Sequence, residues 1–492
     1  MCRKQGKYFM PEINFLSGSD GAVAIRNAGL SFSYGQLSSA IRELSAIFES
    51  NKIYGIILDN SIEWVLIDLA ASYAGVVFIP LPTFFSKEQI NHAIEASKIN
   101  FIITKDKNTD FFVCSNKKEK IRNYDLFLFE VSRAASNGLS DVSKVTFTSG
   151  STGSPKGVCL SLHSMLQVAA SLKSSVNINK DDCHICLLPL SILLENIAGV
   201  YAPLLSGAEI YIPGSEEVGL LGSSNLNIEK MFYCIKNSNA TTAIMTPQIL
   251  KALIFFMEAK KEVLPSLRFL AVGGATVGST LHRRAERLNL PVYEGYGLSE
   301  CSSVVSLNSP ENFRKNSVGK VLKHLDVKVA SDGEILIKGD IFSGYLNENI
   351  FNKENEYFKT GDIGFIDDDG FLFISGRKKN KIITSFGRNI EPEWIESELC
   401  AHDMVLQAAV FGESRPYLIA VIVLSVTSKE CDLCVALEEI NKNFPDYAKI
   451  KKYIIADFPF DRKNGMLTGS GKINREKIYS LYFSKICKLY DF

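Results

Sequence analysis

The segment TFTSGSTGSPKGV, Thr146 to Val158, gathers hydroxyl residues, glycines and a lysine directly behind the strand-like run KVTFT. Its hydroxyls and freely wrapping backbone donate hydrogen bonds, and Lys156 adds a cation, a combination suited to the pyrophosphate of a nucleotide. A flexible Gly/Ser linker would need neither the Pro-Lys-Gly order nor a strand in front and a helix behind. The segment is not a Walker loop, because GxxxxGK followed by Ser or Thr is absent. GSGK, ending at Lys472, fails the same test: Met466 stands where the first glycine belongs, and Ile473 follows the lysine. A covalent nucleophile is not indicated either. The chain has no GxSxG elbow, and Cys159 and His163, at helical i,i+4 spacing behind the loop, read as packing residues.

Eleven cysteines are scattered without a framework and read as buried small hydrophobes of a reducing compartment. The CxxC spacings Cys183/Cys186 and Cys431/Cys434 would make a zinc site only if both pairs, or nearby histidines, came together across the chain, so core packing is the better reading. Lys+Arg and Asp+Glu each number 54, which leaves no net field to attract a polyanion and argues against nucleic acid as a partner. The first 20 residues contain no signal-type apolar run. The most apolar long stretch, Ile53 to Pro82, is broken by Asp59, Glu63 and Asp68. A soluble cytoplasmic protein with at most peripheral membrane contact is expected.

The elements that must position these groups follow from the apolar pattern. Short β-branched runs alternate with helical ones, which argues α/β architecture with buried sheets. Phe32–Glu49, Ile62–Tyr73, Lys87–Ala96, Leu162–Lys173 and Pro247–Glu258 read as helices. Ile53–Leu58, Val76–Pro80, Phe101–Thr104, Cys183–Pro189, Ala208–Ile212, Thr242–Met245 and Phe269–Val272 read as strands. After Lys320 the pattern changes to short alternating strands with hairpin signals at Asp332-Gly333 and Asp369-Gly370. Beyond GRKKN at 376–380 a compact α+β unit is expected: a helix near Pro392–Leu399, strands in VLQAAVFG and YLIAVIVLS, a helix over Lys429–Asn441 and a terminal lysine loop.

With these segments in order, the chain resembles the acyl-adenylate-forming superfamily, closest in look to long-chain fatty acyl-CoA synthetases. The phosphate loop, YEGYGLSE at 293–300, YFKTGDIGFIDDDGFLFISGRKKNKII at 357–383, TSFGRNIEPEWIE at 384–396 and LTGSGKINREKI at 467–478 carry the likeness. It implies a large N-terminal domain of stacked α/β sheets with a small β-barrel-like subdomain, residues 1–378, and a small mobile α+β C-terminal lid, residues 379–492. It also implies Lys472, Thr148 and Glu300 as catalytic residues, with Glu300 the magnesium ligand. Nucleotide and thiol contacts would come from Ser149, Gly150, Ser151, Thr152, Gly153 and Lys156, from Gly274, Glu294, Gly295, Tyr296, Gly297 and Ser299, and from Asp362, Arg377 and Gly387. The chemistry of each group fits. Tyr296 offers an aromatic face for adenine, Ser299 a hydroxyl for a phosphate oxygen and Glu300 a hard oxygen for Mg²⁺. Asp362 accepts both ribose hydroxyls, and Arg377 donates to ribose or phosphate. Outside this company, Asp362 and Arg377 would read as a surface ion pair and Lys472 as a solvated lysine. Within it, Lys472 bridges the attacking carboxylate and the α-phosphate, where charge accumulates.

In the resembling family LLPLSILLENIAGVYAPLLSG, Leu187 to Gly207, builds the acid pocket. Between Leu190 and Pro203 only Glu195 and Asn196 hold charge or strong polarity, and Leu194 falls where amino-acid-activating relatives carry an acid. Activation of a fatty acid by ATP and Mg²⁺, with transfer to CoA, is the expectation. A fatty acyl-AMP ligase or acyl-carrier-protein synthetase using a phosphopantetheine carrier is the first alternative, and a nucleotide-binding module without catalysis the second. Ile192, where many relatives carry His, and the single glycine in SFGRN depart from the pattern, and Phe386 there bears on the path of the thiol.

Overall fold

A computed structural model describes residues 16–107, 118–121, 123–131, 139, 141–148, 156–221, 225–348, 356–425, 430–468 and 471–490. Two sheets form the large N-terminal domain. In one of eight strands, Ile53–Ile57 pairs in parallel with Val77–Pro80 and Phe101–Thr104, and the hairpin Lys144–Thr148/Lys156–Leu160 extends it. In the other, of nine strands, Cys183–Ile185, Thr242–Met245, Phe269–Val272 and Val292–Tyr296 lie parallel in that order. These runs are apolar and largely buried on both faces, as parallel strands covered by helices must be. The helices Tyr34–Ser45, Ile62–Ala74 and Leu162–Val176 contribute to one continuous core with strands of both sheets.

Local chemistry sets the boundaries. The first helix starts at Tyr34 rather than Phe32, because Ser33 and Gln36 form a reciprocal capping box and Ser31–Ser33 pairs with Val23–Arg26 as an edge strand. The run expected as a strand from Cys183 to Pro189 ends at Ile185. Asn60 brackets Pro189, its Nδ2 donating to Leu188 O at 2.8 Å and its Oδ1 accepting from Leu190 N at 2.7 Å, and this turns the chain. The strand Lys156–Leu160 also corrects the reading of the phosphate segment. The segment closes a β-hairpin, the helix begins only at Leu162, and Cys159 lies on a strand, so its i,i+4 relation to His163 is not helical. Burial pushes the Cys159 thiol up to about 11, which leaves it un-ionised and inert.

A four-stranded antiparallel sheet, Leu325–Val329, Glu334–Gly339, Phe358–Ile366 and Leu372–Arg377, follows. Gly333 and Gly370 sit at φ +83° and +82° in its two hairpin turns. The C-terminal domain packs Val405–Phe411, Leu418–Leu424 and Ile450–Ile455 as a three-stranded sheet between helices, with apolar clusters of its own on both faces. One of those helices, Arg475–Tyr490, is missing from the sequence reading, although Ile478, Tyr482, Ile486 and Tyr490 bury one stripe of it. Among the described residues no helix is long and apolar enough to cross a membrane.

One half-buried group should make stability depend on pH. His324 Nδ1 lies 2.8 Å from Ser171 Oγ, while Nε2 is buried with no partner among the described residues, and burial lowers its pKa from the usual 6.5 to about 4. The fold holds the neutral ring, so this part of stability is fully present above pH 6.5 and is lost as pH falls towards 4. The melting temperature should drop between pH 7.5 and pH 5, and drop less in His324→Asn; equal falls would place the sensitivity elsewhere.

Candidate functional site

At the carboxyl end of the parallel strand Val292–Tyr296, Tyr296 meets Asp362 and Arg377 of the four-stranded sheet and Glu300 meets Tyr345 beside the hairpin, the usual place for a ligand cleft in such folds. Ser149, Gly150, Ser151, Thr152 and Gly153 lie outside the described residues. The hairpin strands fix the two flanks of that loop: Thr148 pairs with Lys156, and Thr148 Oγ1 donates to Lys156 O at 3.4 Å. Lys156 Nζ lies 3.1 Å from Glu348 Oε1 and 4.8 Å above the Tyr345 ring, held at the edge of the loop.

The strand Val292–Tyr296 carries Gly295 and Tyr296 into the cleft, Gly297 follows, and Ser299 and Glu300 open the short turn Ser299–Cys301. Glu300 Oε1 accepts from Tyr345 OH at 2.9 Å, and its other oxygen has no hydrogen bond among the described residues. One hard, partly free carboxylate oxygen suits Mg²⁺, which keeps water and phosphate in most of its positions. Asp362 is buried. Its Oδ2 accepts from Tyr296 OH at 2.5 Å and its Oδ1 faces Arg377 Nε at 2.6 Å. Burial raises the carboxyl pKa, and Arg377 and then Tyr296 oppose the rise. The pair is therefore not a surface ion pair, and each oxygen retains a lone pair for a ribose hydroxyl.

Lys472 reaches this cluster from the C-terminal domain. Thr468 N donates to Lys472 O at 2.7 Å and Lys472 N donates to Thr468 Oγ1 at 3.1 Å, closing a small hairpin that buried Met466 anchors. Beside it the Arg462 guanidinium lies 4.3 Å over the Phe84 ring of the large domain. The Lys472 side chain keeps contact with solvent, yet protein crowds its ammonium. Lost hydration lowers its pKa first, Arg377 lowers it further, and Asp362, Glu300 and Glu393 oppose. Residues far apart in sequence thus act on one charge.

Other expected residues are placed differently. The Glu294 side chain is engaged within the domain: Oε1 accepts from Val277 N at 3.1 Å and Oε2 lies 3.3 Å from His282 Nε2. Gly274, at φ +87°, is exposed on the loop that Val277 ends. Gly387 occupies a turn whose described hydrogen bonds stay within the C-terminal domain, with Arg388 and Arg415 as partners, and Phe386 beside it is 75% exposed. Tyr345 and Glu393 are groups the sequence reading missed. A tyrosine in SGYL and a glutamate at a helix start carry no signal until the fold brings them to Glu300 and Lys472.

The acid-pocket segment is equally specific. Glu195 is fully buried, its Oε1 2.9 Å from His184 Nε2 and its Oε2 accepting from Leu188 N at 3.0 Å. Asn196 is spent on the buried pair Lys144–Asp68, donating to Asp68 Oδ2 at 2.8 Å and accepting from Lys144 Nζ. Both polar residues therefore face the core, and Leu194, Ala198 and Ala271 remain partly exposed between the two main apolar clusters. Gly199 lies against the His184–Glu195 pair, where a Cβ would meet Glu195 Oε1 at 2.4 Å. His184, Cys186 and Glu195 hold their ligand atoms within 4.8 Å of one another. The His184 and Glu195 groups are already hydrogen-bonded, and burial together with Glu195 raises the Cys186 thiol well above its usual range, so this is a core network. A separate surface concavity of about 580 Å³ beside Arg26, Tyr211 and Glu217 holds none of the site residues, and Arg26 there pairs with Glu209.

Comparison with known proteins agrees with this architecture. The family model described as AMP-binding enzyme matches residues 16–346, and that described as AMP-binding enzyme C-terminal domain matches residues 379–492. The chain belongs to the AMP-binding enzyme family. It is 31% identical to a long-chain-fatty-acid–CoA ligase of Mycobacterium bovis over 44% of this chain and 41% of that protein, so the match spans less than half of that relative. It is 26% identical to a 2-succinylbenzoate–CoA ligase of Listeria monocytogenes over 90% of this chain and 93% of that protein. Among solved structures, an anthranilate CoA ligase in complex with anthranoyl-AMP superposes with a TM-score of 0.77 at 17% identity, covering 94% of both chains. The o-succinylbenzoate CoA synthetase of Bacillus subtilis, in complex with its acyl-adenylate intermediate, gives 0.73 at 22% identity, covering 93% of this chain and 95% of that one. These structural likenesses establish the shared fold.

Proposed function

We propose that the chain is an ATP-dependent acid–CoA ligase that forms an acyl-AMP with release of pyrophosphate and then passes the acyl group to the thiol of CoA, with a fatty acid as substrate. The observation that carries the reading is the convergence of Lys472 on Asp362, Arg377 and Glu300. A nucleotide whose ribose meets Asp362 places its α-phosphate within reach of the ammonium, where a carboxylate can attack phosphorus and expel pyrophosphate. Lys472 then stabilises charge that grows in the transition state. Glu300 would hold Mg²⁺, which neutralises phosphate charge when bound. No protein nucleophile is needed, because the adenylate makes the acyl carbon electrophilic and the thiol attacks it directly.

An apolar acid is favoured because Glu195 and Asn196 are consumed in the core, leaving Leu194, Ala198 and Ala271 as walls. A dicarboxylic acid, such as the one named for the Listeria relative, would need a cation at its far end, and these three side chains offer none. Pyrophosphate release over a panel of fatty, aromatic and dicarboxylic acids tests the assignment, with hydroxylamine trapping with and without CoA. Fatty acids should release the most, and a preference for aromatic or dicarboxylic acids would refute the fatty-acid part. Acyl-AMP that forms but ignores CoA would point instead to a carrier protein as acceptor. We also place this chemistry in the cytoplasm, where ATP and CoA are available.

Glu300→Gln should raise the Mg²⁺ concentration for half-maximal pyrophosphate release roughly tenfold or more, with less effect on fatty-acid KM, because it removes only the charge of a metal ligand. An unchanged magnesium dependence would exclude Glu300 as the ligand.

A further inference from the structure

The helix Ser279–Arg287 of the large domain has no cap of its own, since Gly278 stands at its N-cap with no side chain to offer. The C-terminal domain supplies one. Ser279 N donates to Glu398 Oε1 at 2.7 Å and Thr280 Oγ1 to Glu398 Oε2 at 3.3 Å, the acceptor being a carboxylate on the helix Pro392–Ala401. An anion there complements the positive end of the helix dipole. Gly278 permits the approach, because a Cβ on it would stand 2.9 Å from Ser397 O. In the last turn of the same helix Arg284 bridges Glu258 of its own domain and Asp403 of the other. Lys251, nearby, donates to His402 O at 2.8 Å and Val405 O at 2.7 Å. The C-terminal domain therefore grips this helix at both ends.

The helix is also tied to the cleft. His282, one turn in, meets Glu294 Oε2, and Glu294 Oε1 holds Val277 N. Val277 ends the loop that carries Gly273 and Gly274, and a Cβ on Gly273 would stand 3.8 Å from Leu194 of the acid slot. One contiguous set of hydrogen bonds thus runs from Glu398 through the helix and Glu294 to a loop bordering both substrates. We propose that Glu398 is a positioning residue that makes ordering of the 273–277 loop for nucleotide depend on the C-terminal domain being docked as it is here. By linkage, bound nucleotide favours that docking in return. The inference rests on the reading of this cleft as a nucleotide site.

The test uses Mg²⁺ and a non-hydrolysable ATP analogue, α,β-methylene-ATP, titrated calorimetrically into the full chain, with hydrogen exchange followed over residues 273–282. Glu398→Ala should weaken analogue binding about tenfold and reduce the protection it confers on that loop, in line with loss of one charged cap. Glu398→Gln, which keeps an acceptor, should recover most of it. Ser279→Pro attacks the same contact from the large domain. Proline is favoured at the first helical position, and Gly278 at φ −63°, ψ 144° already has the extended geometry that must precede it. The substitution removes the donor and should weaken analogue binding to a similar degree. Transfer from supplied acyl-AMP to CoA should not fall in any of these variants. Unchanged analogue affinity in both Glu398→Ala and Ser279→Pro would overturn the inference and leave the proposed reaction standing. Equal losses in both half-reactions would reduce Glu398 to a stabilising contact, and failure of the unaltered chain to bind the analogue would overturn the inference and the reading beneath it.

Discussion

Lys472→Ala should lower acyl-AMP formation by about two to four powers of ten while transfer from supplied acyl-AMP to CoA stays largely intact. The C-terminal domain brings this lysine to the Asp362–Glu300 cluster, so on the proposed reaction its loss removes charge where the pentavalent phosphorus forms and leaves the thiol step untouched. Its pKa adds a pH signature. Crowding strips hydration from the ammonium and Arg377 repels it, so the proton leaves below the usual 10.5, although Asp362 and Glu300 resist. Activity that requires the charged form is present below that depressed pKa and is lost as pH rises through it. Pyrophosphate exchange in the unaltered enzyme should accordingly fail on the alkaline side earlier than an ordinary lysine would allow. Lys472→Ala should show a low rate without that limb. Equal damage to both half-reactions would mean that Lys472 supports structure rather than adenylation.

Much of this was legible in the chain, for identifiable reasons. Phe101–Thr104, Thr242–Met245 and Phe269–Val272 fall where unbroken apolar runs place them, because strands buried on both faces leave no other use for such runs. Asp362, Arg377 and Lys472 were singled out only through the resemblance of their segments to the family, since each alone would read as a surface ion pair or a solvated lysine; the structure brings their charges together. The partners of those groups were not singled out. Tyr345 under Glu300, Glu393 beside Lys472 and the engagement of Glu294 with Val277 depend on contacts between residues 45, 79 and 17 positions apart, and no local pattern encodes them. The helix behind the phosphate segment begins at Leu162 as read, but Cys159 and His163 were read at helical spacing, and antiparallel pairing of KGVCL with KVTFT claims Cys159 for the sheet. The helix Arg475–Tyr490 escaped notice for a related reason. Its sequence is rich in aromatic and β-branched residues of modest helix propensity, and packing of Ile478, Tyr482 and Ile486 against Phe411 and Ile419 decides the outcome.

Lys379→Pro is expected to spare adenylation and to lower thioester formation by more than about tenfold. The present arrangement brings Lys472 to the nucleotide side of the cleft, and a thiol must later reach the same carbonyl. On the proposed two-step reaction the C-terminal domain would have to leave, releasing the Glu398 cap, the Lys251 bonds to His402 and Val405, and the Arg462–Phe84 contact. Between the last strand of the four-stranded sheet and the C-terminal domain lies the 3₁₀ turn Lys378–Asn380, with Lys378 fastened to Asp332 and Glu334 and Lys379 exposed. A residue in such a turn has φ near the value that the proline ring imposes, so proline at 379 resists a large rotation about that bond, at the cost of some strain on Lys378, which precedes it inside the turn. No described hydrogen bond uses the Lys379 amide, and losing that donor should cost the present state little. Pyrophosphate exchange and acyl-CoA yield measured on the same preparation separate the possibilities. Preserved exchange with depressed thioester yield locates the pivot at Lys379. Undiminished transfer would place it elsewhere, and loss of exchange would show that the proline disturbs the docked state itself.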